Sequence, residues 1–338
     1  MKRFPFLAVA GLIARAASGQ APSLIDIETD NGVFYAYDTA DSTKFATVPG
    51  VVGPWSATPG VASRNFWSGV YIADIVLVNG RPARGVMVRR GTRISLAVSA
   101  GSGQAIADAG GSFIDDGVWL FQRDDGTPFG TITTHGLIGG GPPQGAPALA
   151  ANSNLAVTGG TGAYYGARGQ MTAAPLAAGN PGFRTQASVT EDPASRRVNG
   201  GSRSRFLLQL TPDVGPEIAL MAGGPAVVHG RDGSLVTAAS PASRGEALTL
   251  YARRLGPTTP NVEIGQAFAA GARAVVNAPV HVYLNQTRID ALYAGGYPGS
   301  TDGYQVNFVL PDTVTSGTLS LRLGVAWVNS APVEIAVK

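Results

Sequence analysis

Two residues in the N-terminal half have the side chains and surroundings that proton-transfer chemistry would need. Asp74 falls within Gly69–Ala97 and alternates with Val70, Ile72, Val76 and Val78 on one face of a predicted strand. A carboxyl group aimed into an apolar lumen is disfavoured in its charged form and can act as an acid or base. Aimed outward, or paired with an arginine, the same group is structural. His135 shares a predicted strand face with Thr131 and Thr133. It reads either as a pocket acid/base or ligand-bonding group, or as a hydrogen-bonded surface histidine. Trp67 and Trp119, with Tyr71, Phe121, Tyr164 and Tyr165, supply aromatic surface for a ligand cavity or for a core.

The familiar catalytic templates are missing. No Gly-x-Ser-x-Gly elbow occurs, and the three histidines at 135, 229 and 281 form no metal-binding pair. With no cysteine, thiolate catalysis, zinc–thiolate sites and disulfides are excluded. Asp115-Asp116-Gly117 and Asp124-Asp125-Gly126 lack the spacing of a calcium loop and read as turns. The sequence therefore offers no metal site and no cofactor motif.

The elements that would hold these residues are strands. Glycine (46) and proline (23) separate short apolar runs, and charged residues make up only 14% against 44% apolar. That balance suits a folded chain of many strands and turns. Around Asp74 both faces are largely apolar, as in a strand covered on two sides. Asn79-Gly80 then suits a tight hairpin. Pro82 and Gly85 delay the return strand to about Val86, and a turn near Arg90-Gly91 leads into Ile94–Val98. Further strands are expected at 33–37, 118–122, 131–138, 155–157, 169–172, 184–189 and 203–210, with a loop over 139–150 and a basic hairpin tip over 193–201. So many strands escape exposed edges by closing into an antiparallel barrel.

The expected organisation is a signal peptide over 1–19, a β-barrel over 22–211, a linker over 212–224 and a β-sandwich over 225–338. Lys2 and Arg3, the apolar stretch Phe4–Ala14 and the small residues Ala16–Gly19 carry the first assignment. It predicts a secreted or extracytoplasmic protein, with no stable membrane insertion after cleavage. Taking Lys2, Arg3 and Arg15 from the 25 basic residues leaves 22, equal to the 22 acidic ones. A neutral mature chain lacks the field for nucleic-acid binding.

Two stretches carry resemblances. Leu155–Gln170, LAVTGGTGAYYGARGQ, and the preceding Phe129–Leu137 resemble the signature of dirigent and allene-oxide-cyclase-like barrels. This likeness covers about Val118–Met171 and implies a barrel that orients a reactive small molecule for coupling or cyclisation. It places Arg168 at the strand ends, as an anion or carbonyl contact or as a structural cap. Gly245–Ala252, Asn277–Asn285 and Leu292–Phe308 resemble an Ig-like (IPT/TIG-type) C-terminal domain of secreted Acidobacteria proteins, although Arg253-Arg254 departs from that pattern. Its Gly295–Gly303 loop, with Tyr297 and Asp302, reads as a carbohydrate or peptide contact or as packing. The expected function is an exported, non-enzymatic protein that binds a small apolar molecule or an extracellular surface partner. The alternative is the dirigent/cyclase-like role.

Overall fold

The computed structural model describes residues 23–38, 67–93, 113–138, 155–176, 202–211, 215–263, 265–271 and 273–338. Every regular element among them is a strand. The expected signal peptide, the strands at 94–98 and 184–189, the loop over 139–150 and the hairpin tip over 193–201 lie outside the described residues.

Eight antiparallel strands close the barrel: β1 (Ser23–Asp38), β2 (Trp67–Val78), β3 (Arg81–Arg93), β4 (Phe113–Gln122), β5 (Pro128–Ile138), β6 (Leu155–Gly162), β7 (Arg168–Ala174) and β8 (Ser202–Thr211). Each pairs with its neighbours in sequence, and β1 pairs with both β2 and β8, so no edge remains. Period-two alternation sets the faces. Tyr71, Ala73 and Ile75 are buried, while Ile72, Asp74 and Val76 between them stand on the outer face, half-buried. The expected cover on both faces is thus incomplete, since Val88 and Val118 outside remain 37% and 45% exposed.

Three local expectations change. The return strand begins at Arg81, directly after Asn79-Gly80, because Pro82 fits opposite Leu77 beside a bulge. Gly85 is an inward ladder residue whose added Cβ would strike the Leu120 carbonyl and Ile75. No turn forms at Arg90-Gly91; Gly91 continues the ladder between Gly69 and Asp115. Asp115-Asp116-Gly117 is likewise strand, not turn, held in register by β3 and β5.

Up-and-down topology gives the barrel two unlike ends. At one end the strands are joined by Asn79-Gly80, by residues 123–127 and by residues 163–167. At the other, the connections run through residues 39–66, 94–112, 139–154 and 175–201.

The sandwich follows. One sheet of seven strands is centred on Ala247–Arg253 and Gly303–Val309; the other, of five, on Val280–Leu284 and Gly317–Val325. Leu248, Leu250, Val306 and Phe308 of the first and Val282, Leu284, Leu321 and Leu323 of the second are buried. Between the central strands, residues 287–296 form two strands, Thr287–Asp290 and Tyr293–Gly296, one in each sheet. The expected linker is shortened, because Glu217–Ile218 already pairs with Ala252-Arg253 and Leu220-Met221 pairs with Gly224-Pro225.

The halves keep separate sheets but share buried apolar contacts. Trp327 packs 5.9 Å from Phe121 and 6.0 Å from Phe129, ring centre to ring centre. It lies in the two-residue turn between Gly317–Val325 and Val328–Asn329. Gly256 sits against Ala163, and the Asn329 N–H donates to Ser23 Oγ at 3.3 Å.

Candidate functional site

The barrel interior is layered. Nearest the sandwich, Phe121, Phe129 and Tyr164 form an aromatic floor, with Phe121 and Tyr164 5.0 Å apart, and Trp327 closes it from outside. Above it lie Ile25, Ile75, Met87, Ile132 and Leu208, each at most 2% exposed. Trp119 fills the middle, edge-on to Phe206 at 5.0 Å. Eight strands enclose a lumen just wide enough for side chains or one small ligand, and these groups occupy it.

The layer farthest from the sandwich is polar. Arg89 Nε donates to Asp115 Oδ1 at 2.9 Å, with side chains 12% and 6% exposed. The Arg89 guanidinium also sits 5.5 Å from the centre of the Phe206 ring. Tyr71 and Ser204 hydroxyls lie 3.2 Å apart, and Thr29 Oγ1 donates to the Ser204 carbonyl at 3.4 Å. Gly117 lets this layer close up: an added Cβ there would collide with Thr134 Oγ1 and lie 3.5 Å from Trp119 Nε1. Thr134 Oγ1 and Trp119 Nε1 are both buried without a hydrogen-bond partner. An unsatisfied buried donor costs about 1–3 kcal/mol, so an acceptor oxygen reaching this layer would be favoured.

The proposed acid/base residues stand elsewhere. Asp74 is on the outer face, opposite Asp30, and accepts from Asn31 Nδ2 at 3.0 Å. His135 is also outside, 55% exposed, with Nδ1 2.7 Å from Asp116 Oδ1. Hydrogen bonding from His135, then from Arg90, holds the Asp116 carboxyl below the ordinary aspartate value. Arg168 is exposed and its Nη1 caps the Thr158 and Ala167 carbonyls. The Trp67 side chain lies outside the described residues; of the aromatic candidates, Trp119 and Tyr71 reach the polar layer. Alternation from Trp119 to Gly117 and Asp115 carried a signal for this layer, masked by the turn-like Asp-Asp-Gly. Arg89 carried none, being one of several arginines in its strand.

In the sandwich, His229 is 1% exposed. Its Nδ1 lies 2.7 Å from Glu246 Oε1, and its Nε2 lies 3.1 Å from the Ser240 carbonyl and 3.2 Å from Ser240 Oγ. The spacing superficially matches a serine–histidine–carboxylate triad. Both ring nitrogens face acceptors, however, which suits a tie between two loops better than a base awaiting the serine proton. Tyr297 stacks edge-on to Tyr251 at 5.5 Å, and Asp302 accepts from the Arg254 N–H, so the Gly295–Gly303 loop is packed down.

A concave volume of about 380 Å³ lies where the halves meet. Its walls come from Leu120 of β4, Thr127, the start of β5 at 128–131, the end of β6 at Thr161-Gly162 and the sandwich residues 257–259, 261 and 277. No protein-family model and no curated protein matches the chain.

Proposed function

We propose that the chain is an exported, non-enzymatic binding protein that acts through its outer surfaces, with extracellular material as its partner. The observation carrying this reading is the occupied barrel interior, filled by Trp119, Phe121, Met87 and Phe206 and closed below by Trp327. Export rests on the basic, apolar and small-residue pattern of residues 1–19. An Ig-like character for the sandwich rests on Gly245–Ala252 and Leu292–Phe308. Native mass spectrometry of the secreted chain tests the reading. The expected mass is that of the processed polypeptide alone; a small apolar molecule bound at one per chain refutes it.

A second reading is favoured by the unpaired donors. In a dirigent/cyclase-like barrel, Trp119 Nε1 and Thr134 Oγ1 would hold a substrate oxygen beside the Arg89–Asp115 pair. The Leu155–Gln170 resemblance points the same way. Co-purified oxygen-bearing small molecules released on denaturation, and lost in Thr134→Val, would establish this alternative.

A further inference from the structure

We infer that the cleft between barrel and sandwich is a binding site for a neutral saccharide. This deepens the surface-binding reading by naming its ligand class. The cleft lies outside the barrel interior and shares only Phe129 with the aromatic floor.

Size comes first. About 380 Å³ falls within the range of ligand pockets, roughly 300–1,000 Å³. The chemistry of the walls is more selective. None of the 13 lining residues is ionisable. A phosphate, carboxylate or ammonium group would meet no opposite charge among these walls to offset whatever hydration it gave up. Nucleotides, organic acids and charged peptides are thereby disfavoured.

The polar groups that remain are five threonines and two asparagines. Hydroxyls donate and accept, and carboxamides do both at fixed positions, which matches the mixed donor and acceptor character of sugar hydroxyls. Leu120, Pro128 and Pro257 add apolar contact for the C–H faces of a ring. The polar groups are also held in place. Thr131 and Thr161 hydroxyls are 2.6 Å apart across β5 and β6, and Thr259 Oγ1 donates to Asn277 Oδ1 at 2.7 Å. Asn277 Nδ2 reaches the Pro128 carbonyl only at 3.5 Å, a stretched contact from sandwich to barrel that a ligand hydroxyl would improve on. Preorganised groups lose little freedom on binding, so a small cleft can hold a small ligand.

The experiment is titration of the full chain, by calorimetry, with cellotetraose, maltotetraose, xylotetraose and chitotetraose. Tetragalacturonate serves as the charged comparison. At least one neutral tetrasaccharide is expected to saturate, with tetragalacturonate at least 10-fold weaker. Thr131→Trp, which fills the cleft from an outer barrel position, should abolish binding. Thr161→Val should weaken it several-fold, with melting temperature unchanged in both variants. Failure of all four neutral sugars to saturate at millimolar concentration overturns the inference, as does binding that survives Thr131→Trp in the folded protein. Neither failure bears on whether the barrel carries a small molecule, which native mass spectrometry decides separately.

Discussion

The two ends of the barrel are built on different physics. At the sandwich end, connections are short, the interior is aromatic, and a side chain from the other half of the molecule completes the seal. At the far end, the interior is polar, with a buried ion pair and two donors left without partners. The sandwich end resembles an ordinary core, where packing and area removed from water dominate, apart from the Tyr164 hydroxyl, which is buried there without a partner. The far end holds groups that cost free energy unless each finds its partner. The contrast teaches that closing a sheet does not make its interior uniform. The same strands run from a stabilising floor to a layer that must be stabilised.

The strongest way to break this contrast is at the ion pair. Arg89→Met leaves Asp115 buried and alone, and should cost about 3 kcal/mol in urea unfolding. Adding Asp115→Leu should recover most of that loss. A single-variant cost below about 1 kcal/mol would mean that the far end behaves as exposed surface. Next in size is Trp327→Ala, expected to cost about 2 kcal/mol, less than for a fully buried tryptophan because Trp327 is only partly buried. Separate unfolding transitions for barrel and sandwich should accompany it in calorimetry. Unchanged cooperativity would show that Trp327 does not join the halves.

Smaller effects come from the turns. Asn79 and Gly80 have φ of 51° and 72°, and Ala326 and Trp327 have 49° and 63°. Both pairs thus have the positive angles of a type I′ hairpin. Gly80→Ala should cost about 1 kcal/mol, read from thermal unfolding. Ala326→Asn brings no matching gain, because Ala326 is fully buried and the new carboxamide would lose its hydration. The smallest effect concerns Asp116. Because its folded pKa lies below the ordinary 3.8, its contribution is present above that value and fades as pH falls through the folded one. His135→Ala should raise the Asp116 pKa in an NMR titration and flatten this acid dependence. An unmoved value would show that the 2.7 Å contact does not persist in solution.

Legibility in the sequence follows the same division. Strands with clear alternation, such as 69–78 and 203–210, and the Asn79-Gly80 hairpin are readable because local preference and tertiary fold agree. The all-β class and the closed barrel follow from them. The polar layer is not readable in this way. Asp115-Asp116-Gly117 has turn chemistry, and only ladder hydrogen bonds to β3 and β5 hold it extended. Nor does alternation alone say which face is inside, which is why Asp74 reads either as a lumen acid or as an outward, structural group until the burial of Tyr71, Ala73 and Ile75 puts it outside. The cleft escapes sequence reading altogether, since Thr131 and Asn277 become neighbours only when barrel and sandwich dock.

The hairpin bearing Trp327 has an implication for inheritance. Neither alanine nor tryptophan would choose left-handed backbone unaided, so the bend borrows its shape from aromatic rings belonging to the barrel. Barrel and sandwich are therefore poor candidates for exchange by recombination. A sandwich transplanted onto a foreign partner would keep an awkward bend whose compensation had been left behind.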